Sequence, residues 1–165
     1  MYNVTIVGAS RTGKTSLVSQ WRGHEFCHSY CATIFVEKTV FPTFMISEIP
    51  SNPRFLNNFE TVYENTDVFV LVIRDDAGQL SLYEELSRNF PKASWLFVMN
   101  GPDPFPKSSL YARNQEIYMA HVNLETGKGV TDSLGVLWEL TRLHPRRPIP
   151  VSLVDEVYQW LPGCL

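Results

Sequence analysis

Gly8-Ala9-Ser10-Arg11-Thr12-Gly13-Lys14-Thr15 is the stretch on which the reading of this chain turns. It meets the pattern G-x-x-x-x-G-K-[ST] at Gly8, Gly13, Lys14 and Thr15. Before it stands a short β-rich run, Tyr2–Val7; after it, residues 15–22 carry Leu17, Val18 and Trp21 at the spacing of one helix face. Each residue type answers a requirement of phosphate binding. Glycines let backbone N–H groups wrap an anion, and the following helix turns its positive N-terminal end toward it. Lys14 neutralises β- and γ-phosphates, and the Thr15 hydroxyl is placed to ligate Mg²⁺. A glycine-rich turn that merely caps a helix is the alternative, and the strand-loop-helix setting favours the phosphate reading. The predicted phosphate-binding residues are Gly8, Ser10, Arg11, Thr12, Gly13, Lys14, Thr15 and Ser16.

Outward from the loop, residues 24–35 have no clear period and read as a loop. Residues 36–49 are strand-like, with Phe41-Pro42-Thr43 a break between two short strands. Pro53 can open a short helix carrying Phe55, Phe59 and Tyr63. Val68–Ile73 is apolar at every position, the mark of a strand covered on both faces. Residues 80–90 place Leu82, Tyr83, Leu86 and Phe90 along a helix face, and 95–99 form the next buried strand. A turn-rich loop at 100–106, a short helix at 110–117 and a strand at 118–122 come next. Residues 131–143 read as an amphipathic helix with Thr131 or Asp132 as N-cap, ended by Pro145, Pro148 and Pro150. The alternation predicts an α/β fold of the P-loop NTPase kind, a doubly wound, mostly parallel sheet of about six strands flanked by helices. Residues 1–144 make that domain, and 145–165 a proline-rich segment with a short C-terminal helix packing on it.

Composition sets outer limits. With 165 residues, 44% hydrophobic and 19% charged, the chain matches an ordinary globular domain. A formal charge of −3 gives no electrostatic reason to expect nucleic acid, and Arg146-Arg147 is too short a basic run to change that. Cys27, Cys31 and Cys164 lack metal-ligand spacing and read as reduced thiols, which with no signal-peptide pattern points to the cytoplasm. No stretch reaches the about 18 apolar residues of a membrane span.

Beyond the loop, the residues resemble the Ras superfamily of small GTPases, the Rab-like branch most closely, from Tyr2 to about Leu143. Ser29-Tyr30-Cys31-Ala32-Thr33-Ile34 looks like the switch I segment, with Thr33 at the threonine that senses the γ-phosphate and binds Mg²⁺. Asn100-Gly101-Pro102-Asp103 follows a buried strand, as the N-K-x-D guanine motif does. Asn123-Leu124-Glu125-Thr126-Gly127-Lys128-Gly129-Val130 sits where the S-A-K motif leads into the last helix. The resemblance implies GTP or GDP with Mg²⁺ as ligands. It makes Asp103 the guanine reader, Asn100 the tie between base loop and P-loop, and Leu124 part of the base site. As a plain loop residue, Asp103 would instead cap a turn beside two prolines.

The departures bear on activity. Where the family has D-x-x-G-Q, this chain has Glu48-Ile49-Pro50-Ser51-Asn52, followed by Pro53-Arg54-Phe55. Glu48 retains a carboxylate that can reach the metal through water, so the implied metal set is Thr15, Thr33 and Glu48. Ser51 is a poor copy of a glycine whose backbone must flip, and Pro50 and Pro53 stiffen the loop. Asn52 is one methylene shorter than the glutamine that orients water. Arg11 stands where glycine is usual, its long cation either shielding the nucleotide or pointing to solvent. Gly101 replaces a lysine that packs on guanine. Asp75-Asp76-Ala77-Gly78-Gln79 spells D-x-A-G-Q, yet only 25 residues separate Asp75 from Asn100, room for one helix and one strand where the family needs two of each. It therefore reads as a surface turn.

Cys164-Leu165 matches no prenylation ending, so no prenyl anchor is expected. Pro148-Ile149-Pro150 and the residues after it faintly resemble a SOCS-box ending, though a tail packing on the domain is the ordinary reading. The expected function is a divergent guanine-nucleotide-binding protein with very weak or no GTP hydrolysis, acting through protein partners. The alternatives are a nucleotide-free pseudo-GTPase scaffold and, ranked lower, a small P-loop phosphotransferase.

Overall fold

Six consecutive apolar residues, Val68–Ile73 (β4), are fully buried, and this strand lies in the middle of the sheet. The computed structural model describes residues 1–52, 59–74, 79–102 and 117–143. Around β4 stand β1 (Tyr2–Val7), β2 (Glu37–Val40), β3 (Phe44–Glu48), β5 (Ser94–Asn100) and β6 (Ile117–Val122), in the order β2-β3-β1-β4-β5-β6. Every neighbouring pair is parallel except β2 with β3, a hairpin whose turn is the expected break at residues 41–43. The helices are α1 (Lys14–Trp21), α2 (Glu60–Glu64), α3 (Gln79–Asn89) and α4 (Val130–Leu143).

The strands bury both faces because their side chains alternate between two cores. Val4, Ile6, Val70, Leu96 and Val98 face Leu17, Val18 and Trp21 of α1 and Leu137 and Leu140 of α4. Phe69, Leu71, Trp95 and Phe97 face the other way, against Tyr63, Leu82, Tyr83, Leu86 and Phe90. Aromatic stacking tightens this second core, with the Phe69 and Trp95 rings 4.8 Å apart. Each large side chain so buried contributes about 1.5–3 kcal/mol. The two layers give the doubly wound α/β fold expected from the strand-helix alternation. They also bring the C-terminal ends of β1, β3, β4 and β5 to one edge, where such sheets bind ligands.

Two local expectations change. The last helix begins at Val130, directly after Gly129, so Thr131 and Asp132 lie inside its first turn and do not cap it. Gly129 sets that start: at φ 75 it passes so close to β6 that a Cβ would stand 2.0 Å from the His121 carbonyl oxygen. Residue 117, expected at the end of a short helix, opens β6 instead, and 110–116 lie outside the described residues. Also outside them are Asp103, residues 53–58 with the expected Pro53 helix start, residues 75–78 of the expected surface turn, and all of 145–165. Gln79 begins α3, and only α3 and β5 stand between it and Asn100, as the short spacing requires. Among the described residues, no helix is long and apolar enough to cross a membrane.

Candidate functional site

The loop between β1 and α1 starts at Gly8 (φ 144), where a Cβ would lie 2.5 Å from the Val72 carbonyl oxygen of β4. Only glycine allows the chain to leave the sheet there. The loop ends at Gly13 (φ 101), against the Leu124 side chain and the Asn100 amide. Between them Thr12 is buried, and its hydroxyl donates to the Ala9 carbonyl at 3.0 Å, so its side chain shapes the loop from within. Lys14 is also buried, with its Nζ donating to the Gly8 and Ala9 carbonyls at 3.0 Å each. An ammonium has three N–H donors, so one remains for an anion.

Thr15, the second residue of α1, donates its hydroxyl to Glu48 Oε1 at the end of β3. The Thr33 hydroxyl reaches the same carboxylate oxygen at 3.2 Å and stands 3.2 Å from the Thr15 hydroxyl. Residues 15, 33 and 48, far apart in sequence, thus present three oxygens at one point. Hard oxygen donors of this kind, two hydroxyls and a carboxylate, suit Mg²⁺. Among the described residues, no cluster of His, Cys, Asp and Glu offers a competing metal site. Burial raises the Glu48 carboxyl above its ordinary pKa, opposed by the Thr15 hydrogen bond and the Lys14 charge. Burial lowers the Lys14 ammonium, opposed by Glu48. Both charges are therefore disfavoured as they stand, and a cation beside Glu48 with an anion beside Lys14 relieves each.

At the far end, the Asn100 amide donates to the Thr12 carbonyl at 2.9 Å, while its Oδ1 accepts from Leu124 N–H at 3.4 Å. One side chain at the tip of β5 thereby joins the 8–15 loop to the 123–129 loop. The Leu124 side chain is buried beside Gly13 and borders the cavity, and its carbonyl accepts from Gln20 of α1 at 2.7 Å. Asn123 accepts from the Glu125 and Thr126 N–H groups and folds its own loop.

These loops border an open cavity of about 760 Å³, lined by Lys14, Thr15, Ser16, Thr33, Glu48 and Asn100 among others. Ser10 and Arg11 stay exposed, bound to Tyr30 of the 24–36 segment. Ser51, Gly101 and Pro102 also reach the cavity wall. Sequence reasoning missed Gln20 and Arg74. Gln20 is a polar helix residue without a motif, and Arg74 enters the lining only because β4 ends beside the loop.

No family model and no curated protein matches the sequence. Among solved structures, the chain is similar to the Arl6 BBS3 small GTPase from Trypanosoma brucei with bound nucleotide analogue GppNp. The TM-score is 0.61 at 18% identity, over 86% of this chain and 97% of that one. The fold is accordingly that of the small GTPases, a P-loop domain with a six-stranded, mostly parallel sheet.

Proposed function

We propose that this protein holds a guanine nucleotide with Mg²⁺, turns it over very slowly or not at all, and acts through protein partners. The observation that carries the reading is the convergence of Thr15, Thr33 and Glu48 oxygens in the same cavity as Lys14. Lys14 and the loop N–H groups would hold the phosphates, with Thr15, Thr33 and Glu48 around the metal, which would neutralise the terminal phosphates. Asn100 and Asp103 would read the base. The structural neighbour holds a nucleotide analogue on the same fold.

Slow turnover is expected from the residues after β3. Ser51 and Asn52 occupy the positions of the γ-sensing glycine and the water-orienting glutamine. Ile34 and Phe35, just before the edge strand β2, and Val40 at its end are exposed, a surface suited to a protein partner. The second reading, a scaffold without nucleotide, draws on the loop's internal bonding: Lys14 and Thr15 already have partners in Gly8, Ala9 and Glu48. Extraction of freshly purified protein followed by chromatography separates the two. Stoichiometric GDP or GTP is expected; none, together with no heat of GTP or GDP binding in Mg²⁺, overturns the proposal.

A further inference from the structure

Ser10 and Arg11 are neighbours in the phosphate loop, and both hold Tyr30. The Ser10 and Tyr30 hydroxyls are 2.9 Å apart, and the Arg11 guanidinium lies 5.1 Å from the Tyr30 ring centroid. Arg11 does this at φ 62, the one non-glycine residue at positive φ among the described residues. Any side chain is strained there, and glycine is not. Strain kept in a binding loop points to something the side chain does. What Arg11 does is grip Tyr30.

Tyr30 belongs to the 24–36 segment, which has no helix or strand and borders the cavity through Phe26, Ser29, Tyr30, Cys31 and Thr33. Phe26 packs on the core at one end, and Thr33 is tied to Thr15 and Glu48 at the other. Between these two points, Tyr30 is the attachment to the phosphate loop itself.

We propose that Ser10, Arg11 and Tyr30 form a clasp that keeps this segment closed over the phosphate cavity, so that a diphosphate and a triphosphate are retained alike. The inference rests on the nucleotide-holding reading above. Its physical content is that closure uses a hydroxyl pair and a cation on a ring, and neither needs a terminal phosphate. Were Arg11 simply a cation for the phosphates, its loss would weaken a triphosphate more than a diphosphate, because the triphosphate carries the greater negative charge.

The test is the release rate of fluorescent GDP and of a fluorescent, non-hydrolysable GTP analogue, followed by stopped flow. Arg11→Gly removes the grip and relieves the strained backbone, so it carries no steric risk to folding. Arg11→Gly, which leaves the Ser10–Tyr30 hydrogen bond, is expected to speed release of the diphosphate and the triphosphate alike by about threefold, and Tyr30→Ala, which removes both contacts, by about fivefold. Tyr30→Phe keeps the ring and should give about twofold. Unchanged rates in Arg11→Gly, or acceleration confined to the triphosphate, overturn the clasp. If the wild type binds neither probe, the functional reading fails by itself, and amide hydrogen exchange over residues 27–35 of the nucleotide-free protein decides about the clasp. Faster exchange there in Arg11→Gly and Tyr30→Ala upholds it; equal exchange overturns it.

Discussion

At the scale of single residues, Gly13 is a tightly constrained point of the site. A methyl group there would lie 2.5 Å from Leu124 Cδ1 and 2.9 Å from the Asn100 amide nitrogen, at a φ of 101 that side chains avoid. Gly13→Ala should therefore cost about 2–3 kcal/mol in urea unfolding of the nucleotide-free protein and loosen the Asn100 tie. Gly127 has φ 75 but nothing within 4 Å, so Gly127→Ala should cost only the backbone term, about 1 kcal/mol. Equal losses at both sites would refute the steric account. A second residue sets an alkaline limit. Burial, and then the Glu85 charge, push the Tyr63 phenol up to about 12. A folded-state value above the unfolded one means stability present below about pH 10 and lost as pH rises through 12. Relative to wild type, Tyr63→Phe should gain about 1 kcal/mol across that window, a figure discounted for the ring's partial exposure. Parallel pH profiles for the two proteins would remove Tyr63 from the alkaline transition. Residues named by a motif, such as Lys14, Thr15 and Asn100, could be found in the sequence because their spacing encodes their role. Tyr30's grip on Ser10 and Arg11 could not, since it depends on a loop returning across space.

At the scale of elements, β4 and β5 are readable in the sequence because every core position is apolar, a pattern that only a strand buried on both faces requires. The start of α4 is not, because Thr131 and Asp132 look like caps, whereas the close pass of Gly129 by β6 decides where the helix begins. How α1 meets α4 is invisible in either helix taken alone. Trp21, at the end of α1, donates its indole N–H to the Val130 carbonyl at 3.2 Å and to the Ser133 hydroxyl at 3.0 Å, all buried. That bond joins the helix after the phosphate loop to the helix after the 123–129 loop, so it holds the two ends of the cavity at a fixed distance. Trp21→Phe keeps most of the apolar contact and leaves the Val130 carbonyl its bond from the Ser133 hydroxyl, so loss of the indole donor should lower stability by about 1 kcal/mol. Trp21→Ala adds a cavity and should lose about 3–5 kcal/mol in the same chemical denaturation. A Phe variant as unstable as the Ala variant would mean that ring shape, not the hydrogen bond, carries the contact.

For the molecule as a whole, the order of motifs along the chain foretold the sheet, because a parallel sheet with crossover helices leaves few topologies for strands and loops in that sequence. Activity was legible only as a departure: on the proposed reading, Ser51 and Asn52 would withdraw the groups for hydrolysis without disturbing Lys14, Thr15, Thr33 or Glu48. Holding and cleaving a nucleotide would then be separable, and the separation would have a thermodynamic signature. A ligand that binds only the folded state stabilises it by mass action, about 2.7 kcal/mol at a hundred times Kd, which for a domain of this size is about 5–10 °C in Tm. GDP and a non-hydrolysable GTP analogue with Mg²⁺ should both raise Tm by amounts in that range, while ADP at equal concentration should not. Lys14→Ala should abolish the shift, since it removes the one buried cation of the loop. Incubation with GTP should leave the triphosphate intact over hours while the shift persists. Rapid conversion to GDP would show that another group orients the water. A shift with ADP as large as that with GDP would show that the base loop does not select guanine, leaving the phosphate loop as a general anion site on a scaffold.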